Sequence, residues 1–140
     1  SSTATGDGGG ALNLKGSIAH ISKAVFSLCY AKSYGGGMVL TDSTTTVSNA
    51  FFTSCTAMMG EGGGVYLVDS GGDGSSTVTV SSSDFTSCTA SWGGGMKLES
   101  STATLIDLSV ASNDPNDIAQ DGSVYTCSNL CTPGQYGECG

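Results

Sequence analysis

The stretch "FTSCTAMMGEGGGVYL" (Phe52–Leu67) returns as "FTSCTASWGGGMKL" (Phe85–Leu98). Each copy places an aromatic residue, a cysteine, the pair "TA" and a glycine triplet in one order, and then resumes with apolar residues. The same signals continue outward. "FSLC" starts at Phe26 and leads to "GGGMVL" from Gly35, "GGALNL" opens at Gly9, and a degenerate "VASN" starts at Val110. The chain therefore contains four copies of one unit, and such self-similarity decides the fold before any local reading does. The third unit is lengthened by "SGGDGS" (Ser70–Ser75), inserted at a turn.

Aligning the units exposes columns: Leu14, Leu40, Leu67 and Leu98, then Ile21, Val47, Val80 and Leu105, then Phe26, Phe52, Phe85 and Val110. Cys29, Cys55, Cys88 and Asn113 follow, and two residues later Ala31, Ala57, Ala90 and Pro115. "TTTV" and "TVTV" alternate with period two, the signature of a strand with one buried face. From the Val column to the Phe column the step is odd, so the side chain changes face and a bend falls near Lys23, Asn49, Ser82 and Asp107. Short strands, bends at fixed offsets and a period in the twenties describe a solenoid, one coil per repeat, in which like stacks on like at ~4.8 Å. The recurring Phe and Cys read as ladders inside a narrow core, and the glycines as tight corners.

The chain has 140 residues, a net charge of −8, four lysines, no arginine and one histidine. A nucleic-acid or anionic-membrane binder needs a basic face that this composition does not supply. No apolar run approaches the roughly 18–20 residues of a membrane span. No secretory leader is visible at Ser1, so the expectation is a mature chain or an excised segment. Six cysteines with few charges suit an oxidising compartment, whereas metal binding fits poorly: there is no CxxC pair and His20 stands alone.

The pattern resembles the right-handed parallel β-helix family, in particular polymorphic-outer-membrane-protein repeats with their "GGAI" and "FxxN" motifs. "GGAL" (Gly9–Leu12) is a near match, and Asn113 keeps the Asn that the other units replace with Cys. "CTPGQYGECG" (Cys131–Gly140) resembles the start of an EGF-like module. The resemblance implies an all-β fold, a right-handed parallel β-helix (β-solenoid) of four to five coils with a disulfide-bonded C-terminal tail. The expected division is repeats over 1–122 and a Cys-rich cap over 123–140. The family further implies secretion or surface display, with structural or adhesive roles.

Some β-helix families act on polysaccharides, which makes catalysis one reading of such a fold. A lyase of uronates needs a cationic base and cations facing the sugar carboxylate, but Lys15, Lys23, Lys32 and Lys97 lie at different offsets in different units. A hydrolase needs paired carboxylates at a set separation. Asp42 and Asp69 align, with Glu99 one position earlier in its unit, at a strand-to-turn junction where Asp is an ordinary turn residue. His20 aligns with Thr46, Thr79 and Thr104 on an outward face and has no partner in spacing. The expectation is no enzyme, no cofactor and no metal.

One surface does stand out. Thr44, Thr46 and Ser48, then Thr77, Thr79 and Ser81, then Thr102 and Thr104 occupy outward positions, with Ile18, His20 and Ser22 in the first unit. Stacked, they form a flat array spaced ~6.6–7 Å along the strand and ~4.8 Å between coils, which resembles the Thr-x-Thr faces of β-solenoid ice-binding proteins. Threonine's β-propensity supplies the competing explanation. The functional expectation is thus an extracellular structural or adhesive module, with ice binding as the alternative and polysaccharide binding or processing third. For the cysteines, stacked Cα atoms at ~4.8 Å fall within bridging range, and the favoured pairing among several is Cys29–Cys55, Cys88–Cys127 and Cys131–Cys139. The N-terminal coil shows no capping helix or charged block, so it is expected to stack on another β-helix segment or subunit.

Overall fold

A computed structural model describes residues 3–4, 9–73 and 75–128. The chain is a parallel β-solenoid of about four turns, without helices among those residues. A lead strand, β1 (Thr3–Ala4), precedes the first coil of β2 (Leu12–Lys15), β3 (Ile18–Ser22), β4 (Val25–Ser27) and β5 (Tyr30–Ala31). The second coil repeats this as β6 (Met38–Thr41), β7 (Thr44–Ser48), β8 (Phe51–Thr53) and β9 (Thr56–Ala57). The third has β10 (Val65–Val68), β11 (Thr77–Ser81) and β12 (Asp84–Thr86). The fourth has β13 (Met96–Glu99), β14 (Thr102–Ile106) and β15 (Ser109–Ala111), and β16 (Ile118–Asp121) and β17 (Val124–Ser128) begin a fifth. The solenoid thus runs to Ser128, beyond the boundary at 122.

Like strands stack into four parallel sheets: β2-β6-β10-β13-β16, β3-β7-β11-β14-β17, β4-β8-β12-β15 and β1-β5-β9. The register matches the columns. Leu14, Leu40, Leu67 and Leu98 are partners, as are Ile21, Val47, Val80 and Leu105, and Phe26, Phe52, Phe85 and Val110. The inferred bends are real corners: Lys23, Asn49, Ser82 and Asp107 have φ of 54°, 51°, 47° and 50°. A second left-handed row, Leu28, Ser54, Ser87 and Ser112, turns the chain again before the Cys column.

Phe26, Phe52 and Phe85 stack with ring centroids 4.6 Å apart and planes within 4°. Two of the same rings explain the last glycine of their triplets, because the solenoid is narrow enough for Phe52 and Phe85 each to reach across to the glycine that opens its own coil. A Cβ on Gly37 would lie 2.9 Å from the Phe52 ring and 2.6 Å from Gly64 O; on Gly64 it would lie 2.8 Å from the Phe85 ring and 2.5 Å from Gly95 O. Close approach, as much as turn geometry, keeps side chains out of this position. The corner between the first two sheets is closed by serines: Ser17 N donates to Ser43 Oγ, Ser43 N to Ser76 Oγ and Ser101 N to Ser123 Oγ at 3.0–3.2 Å. Each of these hydroxyls also bonds a carbonyl of its own corner, as from Ser43 Oγ to Thr41 O, so the turn's backbone groups are satisfied inside the molecule.

The cysteine ladder is present but reduced. Cys29, Cys55 and Cys88 are buried thiols, which corrects the expected Cys29–Cys55 and Cys88–Cys127 bonds. Cys29 and Cys55 are in-register neighbours, with Cβ atoms near the ~4.8 Å strand spacing, whereas a disulfide wants about 3.8 Å; Cys127 stands in a different column from Cys88, on β17 in register with Leu105. The sulfur instead donates to the neighbouring coil: Cys55 Sγ to Phe26 O at 3.3 Å and Cys88 Sγ to Phe52 O at 3.4 Å. Asn113 does the same with Nδ2 to Phe85 O at 2.9 Å, and its Oδ1 accepts from Cys88 N. Cysteine therefore replaces the donor half of the asparagine rung. Cys131 and Cys139, with the tail that carries them, lie outside the described residues.

Candidate functional site

Two faces of the solenoid carry side chains that the core does not use. The first is the outward side of the second sheet. Thr44, Thr77 and Thr102 are partners, as are Thr46, Thr79 and Thr104, and Ser48 pairs with Ser81. His20 continues the middle row at one end, and Thr126, which the repeat alignment missed, continues it at the other. The middle row is thus His20, Thr46, Thr79, Thr104 and Thr126, and no outward position on β3, β7, β11, β14 or β17 carries a carboxylate, lysine or arginine. Alternation puts Val47, Val78, Val80, Ala103 and Leu105 inside and these hydroxyls outside. Thr77 Oγ1 donates to Thr44 Oγ1 at 3.3 Å, so part of the hydroxyl capacity is spent within the array.

The aligned acids serve the turn. Asp42 is itself a left-handed corner residue, φ 49°, and its carboxylate accepts from Ser70 N and Ser70 Oγ, which hold it below the usual carboxylate range. Asp69 anchors the inserted loop, accepting N–H bonds from Gly71, Gly72, Ser75 and Ser76. Burial works against its charge, but the backbone N–H groups of Ser76, Gly71 and Ser75 outweigh it and bring the carboxyl down to about 2. Among the described residues no three His, Cys, Asp or Glu side chains converge as a metal site.

The second face went unnoticed in the sequence. At the corner before the first sheet, the segments preceding Gly35, Gly62 and Gly93 fold over that sheet's outer side and cover Val39, Tyr66 and Lys97. Tyr34, Glu61 and Trp92 form the resulting ridge, with Glu61 and Trp92 bridged in parallel. Tyr34 stacks on Tyr66 at 4.9 Å, and Tyr66 Oη donates to the Glu99 carboxylate. Burial, reinforced by that bond, pushes the Tyr66 phenol up. Lys97 Nζ sits 5.1 Å from the Trp92 ring centre and 3.8 Å from Glu61 Oε2. Glu61 interrupts the two aromatic residues, so only the common offset of Tyr34, Glu61 and Trp92 before the glycine marks the column.

Fold and faces together define the class: a parallel β-solenoid repeat protein with an uncharged hydroxyl face and an aromatic corner. No family model, curated protein or solved structure matches the chain.

Proposed function

We propose that this chain is a non-catalytic extracellular β-solenoid module, structural or adhesive, whose first coil stacks on another coil of the same kind. The observation behind this reading is the register of β1. Thr3–Ala4 pair with Tyr30–Ala31, which pair in turn with Thr56–Ala57, so β1 occupies the place of the last strand of a preceding coil. The other three sheets end on β2, β3 and β4 among the described residues. Leu12, Leu14 and Ile21 are only partly buried there, while their counterparts Met38, Leu40 and Val47 are fully buried. A further coil would pair these edges and complete that burial, as neighbouring repeats do in solenoids. Placement at a cell surface follows the resemblance to polymorphic-outer-membrane-protein repeats, and a tail bonded through Cys131 and Cys139 follows the separate resemblance of Cys131–Gly140 to an EGF-like module.

The test is to replace residues 1–4 with a copy of residues 35–57, supplying the missing coil. Thermal stability should rise, and any self-association of the original chain should fall. An unchanged melting temperature, together with a strictly monomeric original chain, would remove the reading.

A second reading, ice binding, is supported by the middle row of threonines continuing through Thr126 on an uncharged sheet. Thr79→Lys, at the centre of the array, should abolish thermal hysteresis. No hysteresis in the unmodified protein would dismiss this reading outright.

A further inference from the structure

We infer that the ridge of Tyr34, Glu61 and Trp92 is a binding site for an extended neutral polysaccharide. Trp92 is 59% exposed and Tyr34 38%, although both have their inner faces occupied. Lys97, buried to 2%, lies against one face of the indole, and Tyr66 lies against one face of Tyr34. Each ring is thus fixed in orientation while its other face meets water. Holding a long lysine beneath a tryptophan costs side-chain entropy and desolvation, and the core, sealed by Leu40, Leu67 and Leu98 on the opposite side of this sheet, gains nothing from it. What the arrangement provides is a pair of preorganised flat platforms, the condition under which few contacts give useful affinity.

The chemistry of the ridge selects the ligand. The electron-rich face of an aromatic ring attracts the weakly positive C–H face of a pyranose, as it attracts ring edges. Glu61, with its side chain 27% exposed, lies between the two rings and accepts hydrogen bonds from sugar hydroxyls. Tyr34 and Trp92 are two rungs apart, ~9.6 Å at the strand spacing, with the carboxylate on the rung between. That order suits a chain whose alternate sugars present a flat face to the ridge while the intervening one presents hydroxyls. Lys97 is already paired with Glu61, Glu99 stands nearby and the chain carries a net charge of −8, so a polyuronate or sulfated glycan would be repelled. The inference does not depend on end stacking, since the ridge runs along the side of the solenoid.

Trp92 is the sole tryptophan, so its emission reports on this site alone. Titration with neutral β-glucan, chitin-type and mannan oligosaccharides should give, for at least one of them, a saturable blue shift. Trp92→Ala should weaken retention on the corresponding insoluble polysaccharide by at least about tenfold. Tyr34→Ala should weaken it as well, and since Tyr34 stacks on Tyr66 and is two rungs from Trp92, it tests the ridge if Trp92→Ala disturbs folding. The inference is overturned if no neutral saccharide moves the emission. It is equally overturned if only polyuronates bind, or if the emission responds to protein concentration alone, which would make the ridge a contact between copies through Trp92 and the exposed Met58 and Met59.

Discussion

One phenyl ring links two motifs that lie far apart in the repeat. Phe52 is fully buried, stacked on both sides by Phe26 and Phe85, and lies against the backbone at Gly37. No neighbour can collapse into its space, because glycine has no side chain to offer and the stacked rings are held at strand spacing. Phe52→Ala should therefore lower unfolding free energy by about 3–5 kcal/mol. Phe26→Ala should cost less, since that ring is stacked on one side only. Urea midpoints compare the two, and a neutral Phe52→Ala would contradict the ladder. Thr45 makes the opposite case: it points into the core, and its Oγ1 is a buried oxygen with no hydrogen-bond partner among the described residues. Thr45→Val keeps the shape and removes the unpaired hydroxyl, so it should stabilise by about 1–2 kcal/mol; a loss of stability in the same assay would count against this.

At the scale of elements, the corners do most of the specifying. Left-handed residues recur at one offset in every coil, and where the third coil is interrupted by Ser70–Ser75, Asp69 replaces the corner with a clasp of N–H bonds. Its folded pKa, about 2, lies below the ordinary carboxylate value. A depressed pKa contributes stability that is fully present above the unfolded value, near 4, and is lost as pH falls toward the folded one. Amide exchange at Gly71, Gly72 and Ser75 should therefore speed up between about pH 4 and pH 2 relative to the strands. Asp69→Ala should leave the loop fast at every pH. Equal pH dependence in both proteins would show that the clasp does not hold the loop.

Across the whole molecule, stability is spread along a line of similar coils, each supported by its neighbours. The thiol ladder lies on that line. Cys55 is held protonated by the neighbouring Cys88 thiol and by burial, so it is a poor nucleophile in the native state. Alkylation of Cys29, Cys55 and Cys88 should proceed only at the rate of unfolding, and peptide maps of native protein should recover all three as thiols. A crosslink from Cys29 to Cys55 or from Cys88 to Cys127 would overturn the hydrogen-bonded ladder.

The columns, the period-two alternation and the bends at Lys23, Asn49, Ser82 and Asp107 were legible in the sequence. A solenoid repeats its side-chain environment at every coil, so one environment writes similar residues at one spacing. The corner at Leu28, Ser54, Ser87 and Ser112 was less legible, because leucine carries no turn signal and only the backbone shows its φ of 53°. The Thr126 rung was missed where "VYTCS" (Val124–Ser128) runs into the cysteine-rich end. The thiol chemistry could not be read from spacing alone: cysteines one rung apart sit close to bridging distance, and only side-chain placement distinguishes a disulfide from S–H donors aimed at Phe26 O and Phe52 O. The ridge was out of reach for a different reason. Tyr34, Glu61, Trp92 and Lys97 are unlike residues on three coils, and it is their folding over one outer sheet face that turns them into a site. Sequence determined what repeats; tertiary structure alone decided what differs from rung to rung and still comes together.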